Sequence, residues 1–88
     1  MPRVLWELNA IEDLQALNRL DRRTAQRVVG AVQAFARTGK GDVKALAGRQ
    51  DELRLRVGDW RIVLRREPDF ADTFTVGKVA LRRDAYDD

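Results

Sequence analysis

An α+β fold, with two N-terminal helices on one face of a mostly antiparallel four-stranded sheet, is predicted by three features of this 88-residue sequence. Residues 10–38 carry apolar side chains at helical spacing. Residues 53–81 switch to strand-like alternation. A Gly-Asp turn signal joins two of the alternating runs. The element order is β-α-α-β-β-β, and the length suits one domain spanning residues 1–88.

The first strand is expected over Arg3–Leu8, with Trp6 and Leu8 on one face and Leu5 on the other. Asn9 then reads as a helix N-cap, and Glu12 three residues on completes a capping-box pattern. Ile11, Leu14, Leu17 and Leu20 follow as the apolar stripe of a helix of about ten residues from Ala10. Asp21 is placed to cap a second helix, whose stripe is Ala25, Val28, Val29, Val32, Phe35 and Ala36. The run Thr38-Gly39-Lys40-Gly41 ends it. So short a junction predicts a helical hairpin.

Leu53, Leu55 and Val57 alternate with Arg54 and Arg56, and Trp60, Ile62 and Leu64 with Arg61, Val63 and Arg65. Gly58-Asp59 between them has glycine where a type II′ turn needs it, which predicts a tight hairpin. Pro68-Asp69 marks the next turn. The last strand runs from Thr73 to Ala80 or Leu81, and its apolar phase changes across Gly77, as a bulge would cause. Trp6, Trp60, Phe35 and Phe74 are expected in the core.

The chain has no Cys and no His. Disulfides, thiolate chemistry, the usual zinc sites and imidazole acid–base pairs are therefore excluded, and neither metal nor cofactor is expected. No apolar run approaches the roughly 20 residues of a membrane span, and acids interrupt the N-terminus where a signal peptide would be apolar. A cytoplasmic location is the expectation.

Net charge is +3, and 14 of the 17 cations are arginines, the side chain suited to forked contacts with phosphate or carboxylate. The charge is concentrated. Residues 54–66 hold five arginines against one acid, Asp59, whereas residues 49–88 as a whole balance nine cations with nine acids. If Val57 faces Trp60 across the hairpin, Arg56 faces Arg61, Arg54 lies on the same face opposite Val63, and Arg65 continues the row. Like charges across a ladder are destabilising. Such a face either splays its arginines into water or presents them to an anion, and spacing alone favours neither. A phosphate backbone and an acidic protein segment would fit it equally. Arg82, Arg83 and Tyr86, after the last strand, are within reach of the same surface.

The run Lys44-Ala-Leu-Ala-Gly48, then Leu53–Arg65, then Arg82–Tyr86, closely resembles the RelE/ParE superfamily of bacterial toxins. The leading strand and two helices, with Ile11-Glu12-Asp13-Leu14, are also similar, so the resemblance covers nearly the whole chain. It implies a RelE-like toxin fold and the toxin of a toxin–antitoxin pair. RelE-like members enter the ribosomal A site and cut mRNA there by attack of a ribose 2′-oxygen on the adjacent phosphate. In that branch the matching catalytic positions are Arg54, Arg56, Arg61, Arg82 and Tyr86, with Lys44, Arg65 and Arg83 as further phosphate contacts. The implied partners are a cognate antitoxin in a hetero-oligomer, the ribosome and mRNA, with no membrane and no metal. Many relatives carry a His where this chain has Leu81, and lysines where it has Arg54 and Arg56. Two other readings share the resemblance: a ParE-like toxin that poisons DNA gyrase without cutting nucleic acid, and a module that only binds an antitoxin.

Overall fold

The computed structural model describes residues 2–46 and 49–81. Its elements are β1 (Arg3–Trp6), α1 (Leu8–Leu20), α2 (Arg22–Thr38), β2 (Val43–Leu46), β3 (Arg49–Val57), β4 (Trp60–Arg66) and β5 (Thr73–Leu81). They form one sheet in the order β1-β5-β4-β3-β2, with β1 parallel to β5 and the other pairs antiparallel. The α+β class holds, but the sheet has five strands instead of four. The extra strand, β2, is four residues long and follows Gly41-Asp42 with the weakly patterned sequence Val-Lys-Ala-Leu. It forms because the β3 edge offers it a ladder, running from Val43 opposite Leu55 to Ala45 opposite Leu53.

The first helix departs most from its sequence pattern. It starts at Leu8, so the strand ends at Trp6 and Leu8 is 72% exposed instead of sharing a buried face with Trp6. The N-cap is Glu7, whose carbonyl accepts from the Ile11 amide at 3.0 Å and whose side chain makes no capping bond. Asn9 lies inside the first turn, so the Asn9/Glu12 capping box does not form. Of the expected stripe only Leu17 is buried, together with Ala10. Leu14 packs at the core margin, while Ile11 and Leu20 are exposed.

The second helix follows its pattern closely. The Asp21 carboxylate accepts from the Thr24 amide at 3.1 Å and from the Thr24 hydroxyl at 2.7 Å. Those bonds hold its carboxyl below the usual range. Ala25, Val28, Val32 and Phe35 form its buried face. Gly39 ends it in the left-handed region at φ 74°, donating its amide to the Phe35 carbonyl at 2.7 Å. Gly30, mid-helix and exposed, has no such role: a Cβ there would meet nothing within 4 Å. Gly30→Ala is therefore expected to stabilise the fold by about 0.5–1 kcal/mol, read as a higher urea midpoint with unchanged slope.

The sheet turns one face to the helices. Leu53, Leu55, Val57, Ile62, Leu64, Phe74, Val76 and Val79 lie there, in one core with Val28, Val32 and Phe35. Phe35 meets Phe74 edge-on, with ring centroids 5.4 Å apart. The guanidinium of Arg66 lies 5.3 Å over the Phe74 ring, closing the core at that end. Trp6 and Trp60 are only half-buried and pack against this core from its margin.

Candidate functional site

The hairpin register brings the arginines together. Val57 faces Trp60, Arg56 faces Arg61 and Arg54 faces Val63, as the Gly58-Asp59 turn predicts, with Gly58 at φ 60°. Residues paired across a ladder share a face, and the partners of these arginines alternate with the core positions. All three therefore lie on the face away from the helices.

Two neighbouring strands extend the arrangement. Lys44 on β2 pairs with Arg54, and Lys78 on β5 pairs with Val63, so one row across four strands reads Lys44, Arg54, Val63, Lys78. The next row reads Arg56, Arg61, Ala80. Five cations thus occupy two adjacent rows. Lys78 lies outside the arginine hairpin and was not singled out in the sequence. Its signal was the polar phase it holds on β5.

The rows are not uniformly wet. Lys44 and Arg56 are exposed, Arg54 and Lys78 are half-buried, and Arg61 is only 4% exposed. The Nε of Arg54 and one terminal nitrogen of Arg61 have no contact with solvent. Arg56 is steadied at the turn, where its Nε donates to the Gly58 carbonyl at 3.3 Å. Low local polarity strengthens the pull of a guanidinium on an anion, so Arg61 and Arg54 act in a drier setting than Lys44.

Arg65 stands in the third row, between Glu52 and Thr75. Its Nε donates to Glu67 at 3.2 Å, and one terminal nitrogen lies 3.7 Å from Glu7. Arg65 is thus held by carboxylates of its own chain. Glu67 also accepts from the Thr75 hydroxyl at 2.7 Å. That hydroxyl, and then the Arg65 guanidinium, hold the Glu67 carboxyl below its ordinary range, with burial opposing them. A lowered folded value means that the stabilisation is full above the ordinary glutamate pKa and is lost as pH falls through the folded value. In Thr75→Val, the acid-side loss of stability is expected to shrink, as measured by urea unfolding across a pH series.

The bulge expected at Gly77 is present. Val63 pairs with Lys78, but the next residue, Leu64, pairs with Val76. The Asp13 carboxylate of α1 accepts from the Val79 amide at 3.0 Å just beyond it, tying the helix to the strand where the ladder shifts. Arg82, Arg83 and Tyr86 lie outside the described residues. Among the described residues, no group of three or more His, Cys, Asp or Glu is placed to share a metal ion, and no helix is long and apolar enough to cross a membrane.

A roomier hollow of about 650 Å³ lies between α1 and α2, where Leu14, Ala25 and Val29 share the lining with Gln15, Asn18, Gln26 and Gln33 and with a single cation, Arg19. Apolar side chains and neutral amides line it together, and charge does not single it out.

No protein-family model and no curated protein matches the chain. Solved structures do. The YoeB/ParE toxin from Agrobacterium tumefaciens superposes with a TM-score of 0.76 at 19% identity, covering 90% of this chain and 96% of that one. A chain of the RelB–RelE antitoxin–toxin complex from Methanococcus jannaschii gives 0.71 at 20% identity, covering 94% and 95%. A chain of a toxin–antitoxin complex from Mycobacterium tuberculosis gives 0.72 at 24% identity, covering 93% and 100%. At these identities the likeness is one of fold.

Proposed function

We propose that this chain, whose fold is that of the RelE/ParE toxin superfamily, is the toxin of a toxin–antitoxin pair and a ribosome-dependent endoribonuclease. The observation that carries the reading is the pair of cationic rows, Lys44-Arg54-Lys78 and Arg56-Arg61, on the face away from the helices. Structures of similar fold are crystallised with antitoxins, which supports a protein partner of that kind here.

In the reaction, a ribose 2′-oxygen attacks the adjacent phosphorus, the new P–O bond closes a cyclic phosphate, and the 5′-oxygen leaves. Charge on the phosphoryl oxygens is greatest at the pentacoordinate stage. Fixed guanidiniums therefore stabilise that stage more than the ground state. Arg61 and Arg54 fit this role, because they are positioned by the ladder and partly shielded from water. Tyr86 is assigned as the base for the 2′-hydroxyl. A cationic setting would favour its phenolate, which a free phenol with a pKa near 10 would rarely form at neutral pH. Arg82 is assigned as a further charge stabiliser and Arg83 as a phosphate contact. Arg stays protonated, so the proton of the leaving 5′-oxygen comes from water or from the ribosome. The chain carries Leu81 where many relatives carry His, which leaves that step without an imidazole. The ribosome aligns the mRNA, a positioning task that 88 residues need not perform alone.

The test is translation in vitro with primer extension on the mRNA. Cuts in register with codons, present only with ribosomes, support the proposal. Intact mRNA together with trapped DNA–gyrase complexes would replace it with a gyrase-poisoning toxin. Neither effect would leave a module that only binds an antitoxin.

A further inference from the structure

The cationic rows have a centre. Val63 pairs with Arg54 on one side and with Lys78 on the other, and Arg61 stands two residues before it on the same strand. Alternation puts all four on the face away from the helices. Three cations thus surround one short, half-buried apolar side chain, which makes a floor between them. Arg54 and Lys78 are two strand spacings apart, roughly 10 Å between backbones, and Arg61 lies diagonally from each at about 7–8 Å. Long side chains at those separations can meet on one phosphate group seated over Val63.

The three differ in chemistry. Arg54 and Arg61 are guanidiniums, which bind an anion but keep their protons. Lys78 carries an ammonium, which has three donors and can release one. The fold also gives Lys78 more definition than a surface lysine has. It follows the bulged Gly77, and the next residue, Val79, lies in the core with its amide bonded to the Asp13 carboxylate at 3.0 Å. Ladder pairing with Val63 and the tie to α1 therefore fix the backbone on both sides of it. Its side chain is half-buried, yet β1 stops opposite Val76, so among the described residues no strand covers this flank of β5. That open edge gives water access to Lys78. Lys44, the other lysine of the rows, is exposed on the edge strand β2 and separated from Val63 by Arg54.

We propose that Lys78 is the catalytic residue through which the leaving 5′-oxygen receives its proton from water; this deepens the endoribonuclease reading and rests on it. With the phosphate over Val63, Arg54 and Arg61 hold its non-bridging oxygens, and Lys78 approaches the bridging 5′-oxygen from the opposite strand. The 2′-oxygen gives up its proton to the base and bonds to phosphorus. As the P–O5′ bond breaks, its electron pair goes to the 5′-oxygen, which takes a proton from the Lys78 ammonium. The neutral amine then regains a proton from water at the open edge of β5. The chain has no His, and arginine does not release a proton, so a lysine beside the reacting phosphate supplies what the other cations of the rows cannot.

The experiment is single-turnover cutting of ribosome-bound mRNA by wild type, Lys78→Arg and Lys78→Met, each shown to be folded by circular dichroism. The mRNA carries either the natural 5′-oxygen or a bridging sulfur at the scissile phosphate. A thiolate leaves without protonation, so the sulfur mRNA removes the need for an acid. Lys78→Arg keeps the charge but has no proton to give, and Lys78→Met keeps the length without the charge. On the oxygen mRNA both variants are expected to be slower than wild type by about 10²–10³-fold, the usual loss of a general acid. On the sulfur mRNA, Lys78→Arg is expected to cut as fast as wild type, and Lys78→Met to fall short only by the lost charge. Lys78→Arg that cuts the oxygen mRNA at the wild-type rate overturns the assignment, makes Lys78 a phosphate contact and leaves the nuclease reading standing. Variants slowed equally on both mRNAs overturn the assignment in the same way. Wild type that cuts neither mRNA overturns the nuclease reading, and this role with it.

Discussion

Arg61→Ala is expected to slow ribosome-dependent mRNA cutting by about 10²–10³-fold, the usual loss when one preorganised charge stabiliser is removed. Arg61 faces Arg56 across the hairpin and is 4% exposed, so its charge is fixed by the ladder and only weakly screened. Arg61→Lys should recover part of the rate, since it restores the charge but not the planar fork. Primer-extension time courses at saturating ribosome give both numbers. The pH dependence adds a second readout. Arg does not titrate in the working range, so Arg61→Ala should lower the rate by the same factor at every pH. A changed profile would mean that Arg61 acts through the ionisation of another group, such as Tyr86. An unchanged rate would remove the cationic rows as the seat of catalysis.

The part of this site that was legible in the sequence is the part that one short hairpin dictates. A two-residue turn with glycine first leaves a single register, and alternation then assigns Arg54, Arg56 and Arg61 to one face. The bulge at Gly77 was legible for a related reason, because an inserted residue must shift the apolar phase. What was not legible lies between elements distant in the chain. β2 has too few residues and too little alternation to show itself; its partner β3 completes it. Glu7 looked like a strand residue, since nothing local says that its carboxylate will hang over Gly77, 70 positions away. Arg65 reads as one more cation of the row until Glu67 and Glu7 are placed beside it. The start of α1 departs from its local sequence signal for an energetic reason. Asn9 and Glu12 offer a good local cap, but pairing of β1 with β5 stops at Trp6, and the Glu7 amide bonds the Val76 carbonyl at 3.0 Å. Helix geometry then begins at once, so tertiary pairing outweighs a cap worth about 1 kcal/mol.

Ile62→Ala should have the largest effect on stability, a loss of about 2–5 kcal/mol. Ile62 is fully buried at the centre of the sheet, paired with Leu55 on one side and Val79 on the other. Truncation removes three carbons from a core that also holds Val28 and Val32 of α2, and a rigid ladder cannot collapse to fill the space. Small domains have about 5–15 kcal/mol in all, so the variant should sit close to its threshold. At roughly 4–8 °C per kcal/mol for this size, its Tm should fall by at least about 8 °C. Ile62→Val, which removes one methyl group, should cost about 0.5–1.5 kcal/mol and serves as the graded control. Arg61 and Val63, the neighbours of Ile62, project to the opposite face, and that geometry links core to site. Well below its Tm, Ile62→Ala should keep near wild-type cutting per folded molecule, because the ladder still sets Arg61. Close to the Tm, stability and cutting should fail together. If cutting collapses while the sheet is still folded by circular dichroism, the core is tuning Arg61 directly and the two faces of β4 are coupled.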